Sequence, residues 1–365
     1  ALELPGPYEL FTCGYNNTGQ LGLNDTVQRS SPKQVPGTTW SRVSGGSNTS
    51  SGIKTDNTLW SWGYNGNDGR LGLNDKAKRS SPTQIPGTQW LTIDSYQAGY
   101  ATKTDGTAWA WSNNSYGGLG QNDIIDRSSP IQIPGTQWAY FASANSVFIA
   151  TKTDGTLWAC GKGEDGGTGQ NDRIHRSSPV QIPGTQWDYS DRRKITMTRS
   201  DNFLAIKTDG TLWVWGSNNQ GKLGLSTPES VGHSSPTQLP GTWSTIALVG
   251  GDAIGGIKTD GTLWLWGDNS DGGLGQNSNS PGYLSSPVQV PGTQWSNALL
   301  HNYGSYGFKT DGTLWAWNGT GSLAADPPFN ALPGPIYSSP KQIPGTQWVG
   351  GALGHNHTLL TRNYS

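Results

Sequence analysis

The sequence predicts an all-β chain folded as a single closed seven-bladed β-propeller, its last blade completed by both chain ends. Three observations predict it. A repeat of about 50 residues runs the whole length, each copy carries a hairpin signal, and a seventh copy is split between the termini.

The repeat is read first. Ser-Ser-Pro occurs seven times, ending at Pro32, Pro82, Pro130, Pro179, Pro236, Pro287 and Pro340. Each copy leads through Pro-Gly-Thr to a Trp: Trp40, Trp90, Trp138, Trp187, Trp243, Trp295 and Trp348. A second block, Lys-Thr-Asp-Gly-Thr-Leu-Trp-x-Trp-Gly in its best copies, starts at Lys54, Lys103, Lys152, Lys207, Lys258 and Lys309. All 18 Trp residues fall in these two blocks, so they are expected to be core positions rather than a sugar-stacking or light-absorbing cluster.

Each strand follows from spacing. In Trp-x-Trp the two indoles are two apart and face one side of a strand. The residue between them is mostly apolar, so this strand is expected to be buried on both faces. Asp-Gly before it signals a hairpin with a type I′ turn, which requires positive φ at both central residues. No segment shows a sustained helical period. The split copy pairs the sequence around Leu359–Arg362 with Glu9–Gly14, which implies a closed ring and one domain over 1–365. The closing blade is shared by about 1–31 and 338–365.

Composition narrows the function. The 365 residues include 53 Gly and 22 Pro, are 13% charged and carry a net charge of −1. That balance removes the global electrostatic case for nucleic acid. No run approaches the roughly 18 apolar residues of a membrane span, so no membrane insertion is expected. Residues 1–7 have no basic n-region or apolar h-region, so no signal peptide is expected in this chain.

The search for chemistry is negative. The five His show no metal-ligand spacing, and no phosphate-binding Gly-x-x-x-x-Gly-Lys-Ser/Thr loop occurs. Asp268–Gly272 is a poor match to a calcium loop because the distal Glu is missing. No cofactor or metal is expected, and no enzyme. Cys13 and Cys160 replace the second Trp in two repeats and are expected to be buried, unbonded thiols.

One irregularity stands out. Twenty positions separate Trp187 from Lys207, against 13 to 15 elsewhere. The insert holds Arg192, Arg193, Lys194 and Arg199, the densest basic cluster of the chain, offset by Asp188, Asp191 and Asp201. It reads either as a solvated, salt-bridged loop or as a partner contact, since Arg is enriched at interfaces. Tyr283 and Phe329, on the longer loops before Ser-Ser-Pro, are the other candidate partner-binding residues.

The stretch Gly216–Gly224, with Gly-x-Asn-x-x-Gly-x-Leu-Gly spacing, and Gly63–Gly72, with one residue more between the Asn and the next Gly of that pattern, resemble the repeat of the regulator of chromosome condensation family. So does Gly-His-Asn-His-Thr at 354–358. That family includes a GTPase exchange factor, a plant photoreceptor, a secreted β-lactamase inhibitor, and bacterial and phage-virion repeat proteins. The near-identical Pro-Gly-Thr-Gln-Trp copies look most similar to the bacterial and viral members. The resemblance implies a non-enzymatic structural or adhesion propeller on a phage virion or other extracellular surface. Its partners would be virion or cell-surface proteins, or a host glycan. The alternatives are a secreted enzyme inhibitor and an intracellular GTPase-exchange or chromatin-type regulator.

Overall fold

In the computed structural model, residues 8–37, 39–144, 146–198, 200–228, 232–249, 252–300, 305–317, 338–343, 345–353 and 357–362 are described. Almost all of their regular structure is strand. The first blade shows the pattern: Trp40–Gly45, Thr49–Lys54, Leu59–Gly63 and Arg79–Gln84 pair antiparallel in chain order. Five further blades repeat it, beginning at Trp90, Trp138, Ile195, Trp243 and Trp295. The first strands of blades 1 to 4 pack one against the next, and in blades 4 and 5 the second strand packs against the first strand of the following blade. We number these blades 1 to 6.

The remaining sheet is composite. Glu9–Gly14 lies between Arg29–Gln34 and His357–Arg362, with Trp348–Leu353 beyond. This arrangement corrects the expected closed seven-bladed ring. Six blades are continuous stretches of chain, the composite sheet is assembled from two distant stretches, and every sheet stays a separate hydrogen-bonded unit. Blade 6 also differs, because Leu248–Val249 of the preceding repeat joins its inner edge as a parallel fifth strand. The physical reason is that adjacent blades are joined by side chains and single backbone bonds rather than by a ladder carried from sheet to sheet.

Those joints explain the motifs. The second Trp of each pair is fully buried and donates its indole N–H to the preceding blade. Trp62 bonds the Gln20 carbonyl at 3.0 Å, Trp111 that of Arg70, Trp215 that of Gly167, Trp266 that of Lys222 and Trp317 that of Gly273. The Gly of Leu-Gly makes room: a Cβ on Gly72 would lie 2.9 Å from the Trp111 Nε1. Ser-Ser-Pro is the other half of the joint. The Ser80 carbonyl accepts the Asn24 N–H at 2.7 Å, and Ser128, Ser177, Ser234, Ser285 and Ser338 repeat this contact with successive loops. The corresponding loop from blade 6 to the composite sheet falls within 318–337, outside the described residues.

The hairpin expectation is also corrected. In Lys103–Gly106 the Gly106 N–H bonds the Lys103 carbonyl, and only Gly106 has positive φ (78°). The turn is therefore not type I′. The Asp side chain explains the difference: Asp105 Oδ1 accepts from both the N–H and the hydroxyl of Thr107. The Thr107 hydroxyl in turn accepts the Trp109 indole N–H at 3.1 Å. These bonds draw the carboxyl of Asp105 below its ordinary range. Lys103 closes the unit, its ammonium 4.7 and 4.8 Å from the centroids of Trp90 and Trp109.

Blade 3 solves the same packing problem with Cys160 in the Trp place. Its thiol donates to the Gly117 carbonyl at 3.3 Å, while the Tyr100 hydroxyl takes the Gly118 carbonyl at 2.9 Å. Phe148, paired directly with Cys160, packs on Phe141 at 5.1 Å. Cys13 and Cys160 are both buried, and neither is in a disulfide. Burial pushes the Cys160 thiol up to about 12, so little thiolate forms near neutrality. The native protein should therefore release no thionitrobenzoate from Ellman's reagent at mildly alkaline pH, and both thiols should react in guanidinium chloride. Rapid titration of a thiol in the folded chain would contradict the buried placement.

Candidate partner-binding site

The basic insert forms an oversized bulge on the innermost strand of blade 4. Trp187 bridges Lys207 and Ile195 pairs with Ala205, so eight steps of the inner edge run opposite two. Arg192–Lys194 form a short 3-10 turn capped by Asp191, which accepts the Arg193 N–H. Arg193 pairs with Asp191 at 2.5 Å and donates to the Ser296 carbonyl in blade 6 at 3.0 Å. Lys194 pairs with Asp188 at 2.9 Å. Arg192 lines a cavity of about 10 Å³ with Arg42, Thr92, Ile93, Tyr140 and Phe141. That is the room of about one water molecule. Its Nε is buried without a hydrogen-bond partner among the described residues, and burial pulls its pKa down.

The insert thus ties inner strands of blades on different sides of the axis. Its charges are largely spent internally, and all three basic side chains are half-buried. Arg199 and Phe329 lie outside the described residues. Tyr283 begins the outer strand of blade 5 and is 42% exposed. The structure does not bring Tyr283 and the insert together.

A second feature escaped the sequence reading. Asn-Asp-x-x-x-Arg precedes Ser-Ser-Pro four times, at Asn24, Asn74, Asn122 and Asn171. The motif builds a clasp in the loop before the outer strand. In blade 1, Asp75 Oδ1 accepts the Ala77 N–H at 3.0 Å and Oδ2 pairs with Arg79 at 2.5 Å. Arg79 also donates to the Ala77 carbonyl, and Asn65 Nδ2 donates to Asp75 Oδ1 at 3.1 Å. The composite sheet and blades 2 and 3 repeat the clasp with Asp25–Arg29, Asp123–Arg127 and Asp172–Arg176. The N–H groups of Ile125 and Ile174, then the paired Arg residues, hold Asp123 and Asp172 below the usual carboxylate range. Asx turns of this kind pre-set a loop before anything binds.

What the clasps hold out is apolar. Val27, Ile125 and Ile174 stand at one equivalent position, 60%, 61% and 60% exposed, with Ile124 beside them at 66%. The equivalent loops of blades 4 and 5 have Thr227 and Ser278 in the Asp place. The spacing Asn-Asp-x-x-x-Arg is the signal the sequence carries for it, in four copies against seven of Ser-Ser-Pro.

No helix among the described residues is long and apolar enough to cross a membrane, and no group of three His, Cys, Asp or Glu among them is arranged to hold a metal. The fold and this loop face define the class of protein: a β-propeller with one built, rigid rim.

Residues 9–53, 56–96 and 209–249 match the Regulator of chromosome condensation (RCC1) repeat. The chain is 29% identical over 138 residues to the Arabidopsis thaliana RCC1 domain-containing protein RUG3, mitochondrial. That match covers 35% of this chain and 31% of the relative, so the chain spans under a third of it. Among solved structures, Prp20p of Saccharomyces cerevisiae superposes with a TM-score of 0.83 at 17% identity, covering 98% of this chain and 92% of that one. Human WBSCR16 gives 0.79 at 18% identity, covering 98% and 99%. At that identity the two structures establish the fold alone.

These relatives correct the functional expectation. The sequence reading grouped the chain with bacterial and phage members and placed it on a virion or extracellular surface, with surface proteins or a host glycan as partners. The relatives found are instead plant, yeast and human proteins, one of them mitochondrial. The Pro-Gly-Thr-Gln-Trp copies share one backbone geometry: the Gln takes positive φ (66° at Gln137) and the Trp backbone N–H donates to the preceding hairpin, as Trp138 does to the Gly106 carbonyl. That constraint is the same in any compartment.

Proposed function

We propose that the chain is a single, non-enzymatic propeller domain that regulates a protein partner inside the cell, in the manner of the GTPase-exchange or chromatin-type members of its repeat class. One observation carries this reading: four adjacent loops are fixed by Asp–Arg clasps, and they expose aliphatic side chains where a soluble surface gains nothing from them. Rigid rims of this kind bind macromolecules. The relatives support the type of partner. The yeast Prp20p report concerns its binding to Gsp1p and histones, and a second structure has Kap60 bound to yeast RCC1. Tyr283 belongs to the proposal as a contact at the start of the outer strand of blade 5. Arg192, Arg193 and Lys194 enter it as a lesser contact near the axis.

The test is photo-crosslinking in the source cells, with benzoylphenylalanine placed at Thr26 on the clasp rim and, as control, at Asn57 on the hairpin rim. The expected result is a discrete crosslink to an intracellular protein from position 26 and not from position 57. Crosslinks to extracellular or capsid proteins, or none at all, would reject the reading.

A further inference from the structure

The clasped loops form a continuous arc. Asn24, which opens the clasp of the composite sheet, bonds Ser80, the residue after the clasp Arg79 of blade 1. Asn74 bonds Ser128 in the same way beside Arg127, and Asn122 bonds Ser177 beside Arg176. Each clasp is therefore anchored on the next. Within every clasp the Asp and Arg neutralise one another, so the charge this arc offers a partner comes from the exposed positions between them. Those are Lys76, Lys78 and Arg173 against Asp126, while the neighbouring Glu164 and Asp165 lie 3.3 and 3.8 Å from the Lys162 ammonium, which offsets them in part. The aliphatic side chains stand among these cations. The corresponding stretch of blade 5, residues 278–283, has no charged residue and no clasp.

We propose that this arc is a docking surface for a protein segment that interleaves acidic and apolar side chains. This rests on the protein-binding reading above and names the surface and the chemistry of its partner. The clasps keep the loop from paying ordering entropy on contact. The aliphatic side chains supply the desolvated centre, and the lysines and Arg173 supply orientation and encounter rate from its rim. A nucleic acid would use the cations but leave four aliphatic side chains against a polar backbone, so a protein segment fits better.

The experiment uses the full chain and three fluorescent probes: a peptide of alternating Asp/Glu and Leu/Phe, its Lys/Arg counterpart, and a single-stranded oligonucleotide. Fluorescence anisotropy should show the acidic peptide binding at least about tenfold more tightly than the basic one. Lys76→Glu with Lys78→Glu and Arg173→Glu should abolish that preference. Val27→Ser with Ile125→Ser and Ile174→Ser should weaken binding about tenfold. Asp271→Lys should change neither. Thermal midpoints of all variants are read alongside, and Lys76→Gln with Lys78→Gln serves if the reversal variant is unstable. Equal binding of both peptides, tighter binding of the oligonucleotide, or indifference to both triple variants would overturn the proposal. Retention of the crosslinked intracellular partner by the triple variants would also overturn it, while leaving the protein-binding reading intact.

Discussion

Deleting residues 1–14 should lower the thermal midpoint of the whole protein in one transition rather than fray one end. Glu9–Gly14 is an interior strand: Glu9 to Gly14 pair in unbroken register with Arg362 back to His357, and the other edge pairs with Arg29–Gln34. Its loss leaves two strand edges unpaired inside one sheet. It also removes Leu10, Cys13 and Tyr8, which are 0%, 2% and 4% exposed. At about 1.5–3 kcal/mol for each large buried apolar side chain, the loss is on the order of 5 kcal/mol. That rivals the total stability of a typical domain. Tyr8 also exchanges backbone bonds with Trp40, the first residue of blade 1, so the damage reaches the neighbouring blade. Calorimetry showing an unchanged midpoint, or a separate low-temperature transition of small enthalpy, would contradict this placement.

Strand positions were legible because a period of two is written directly in Trp-x-Trp and because glycine punctuates each turn. Trp60 and Trp62 face one side of their strand as the spacing requires, yet they differ in role. Trp60 is half-buried under Lys54, whereas Trp62 is fully buried and bonded to Gln20 of the composite sheet. Nothing local to the motif distinguishes them, because the difference lies in what the preceding blade presents. The type I′ turn was misjudged for a related reason. Asp-Gly permits that turn, but Thr two residues after the Asp offers its N–H and hydroxyl to the carboxylate and draws the chain into another geometry. The candidate site was legible only in part. Arg193 and Lys194 show as a charge cluster in sequence, but their partners Asp191 and Asp188 and the distant Ser296 carbonyl emerge only from the fold. The clasp was fully written in Asn-Asp-x-x-x-Arg. Its meaning depends on Asn65, Asn114 and their counterparts, which reach Asp75 and Asp123 from nine or ten positions upstream.

Replacing Trp266 by Cys should cost about 3–5 kcal/mol, the range for truncating a buried aromatic to a small side chain. Trp266 is completely buried, lies 5.9 Å from Trp243 at 67°, and donates to the Lys222 carbonyl at 2.9 Å. Cys leaves both a void and an unpaired buried carbonyl. Blade 3 nevertheless carries Cys160 at this place. Phe148 pairs with Cys160, whereas Ile254 pairs with Trp266. The ladder partner varies, since Phe203 stacks on Trp215 in blade 4 and Thr358 pairs with Cys13, so compensation by Phe148 is an expectation for the blade 3 pair alone. Ile254→Phe alone should overpack blade 5 and destabilise it by about 1–3 kcal/mol. Combined with Trp266→Cys it should recover part of the loss, giving a coupling energy of about 1 kcal/mol or more in a double-mutant cycle. Recovery should remain incomplete, because the Lys222 carbonyl has no counterpart of the Tyr100 hydroxyl that serves Gly118. Denaturant unfolding of the four proteins measures the cycle. Strict additivity would mean that the Phe148–Cys160 pairing does not compensate for the missing indole, and that blade 3 tolerates Cys160 for a reason outside this ladder.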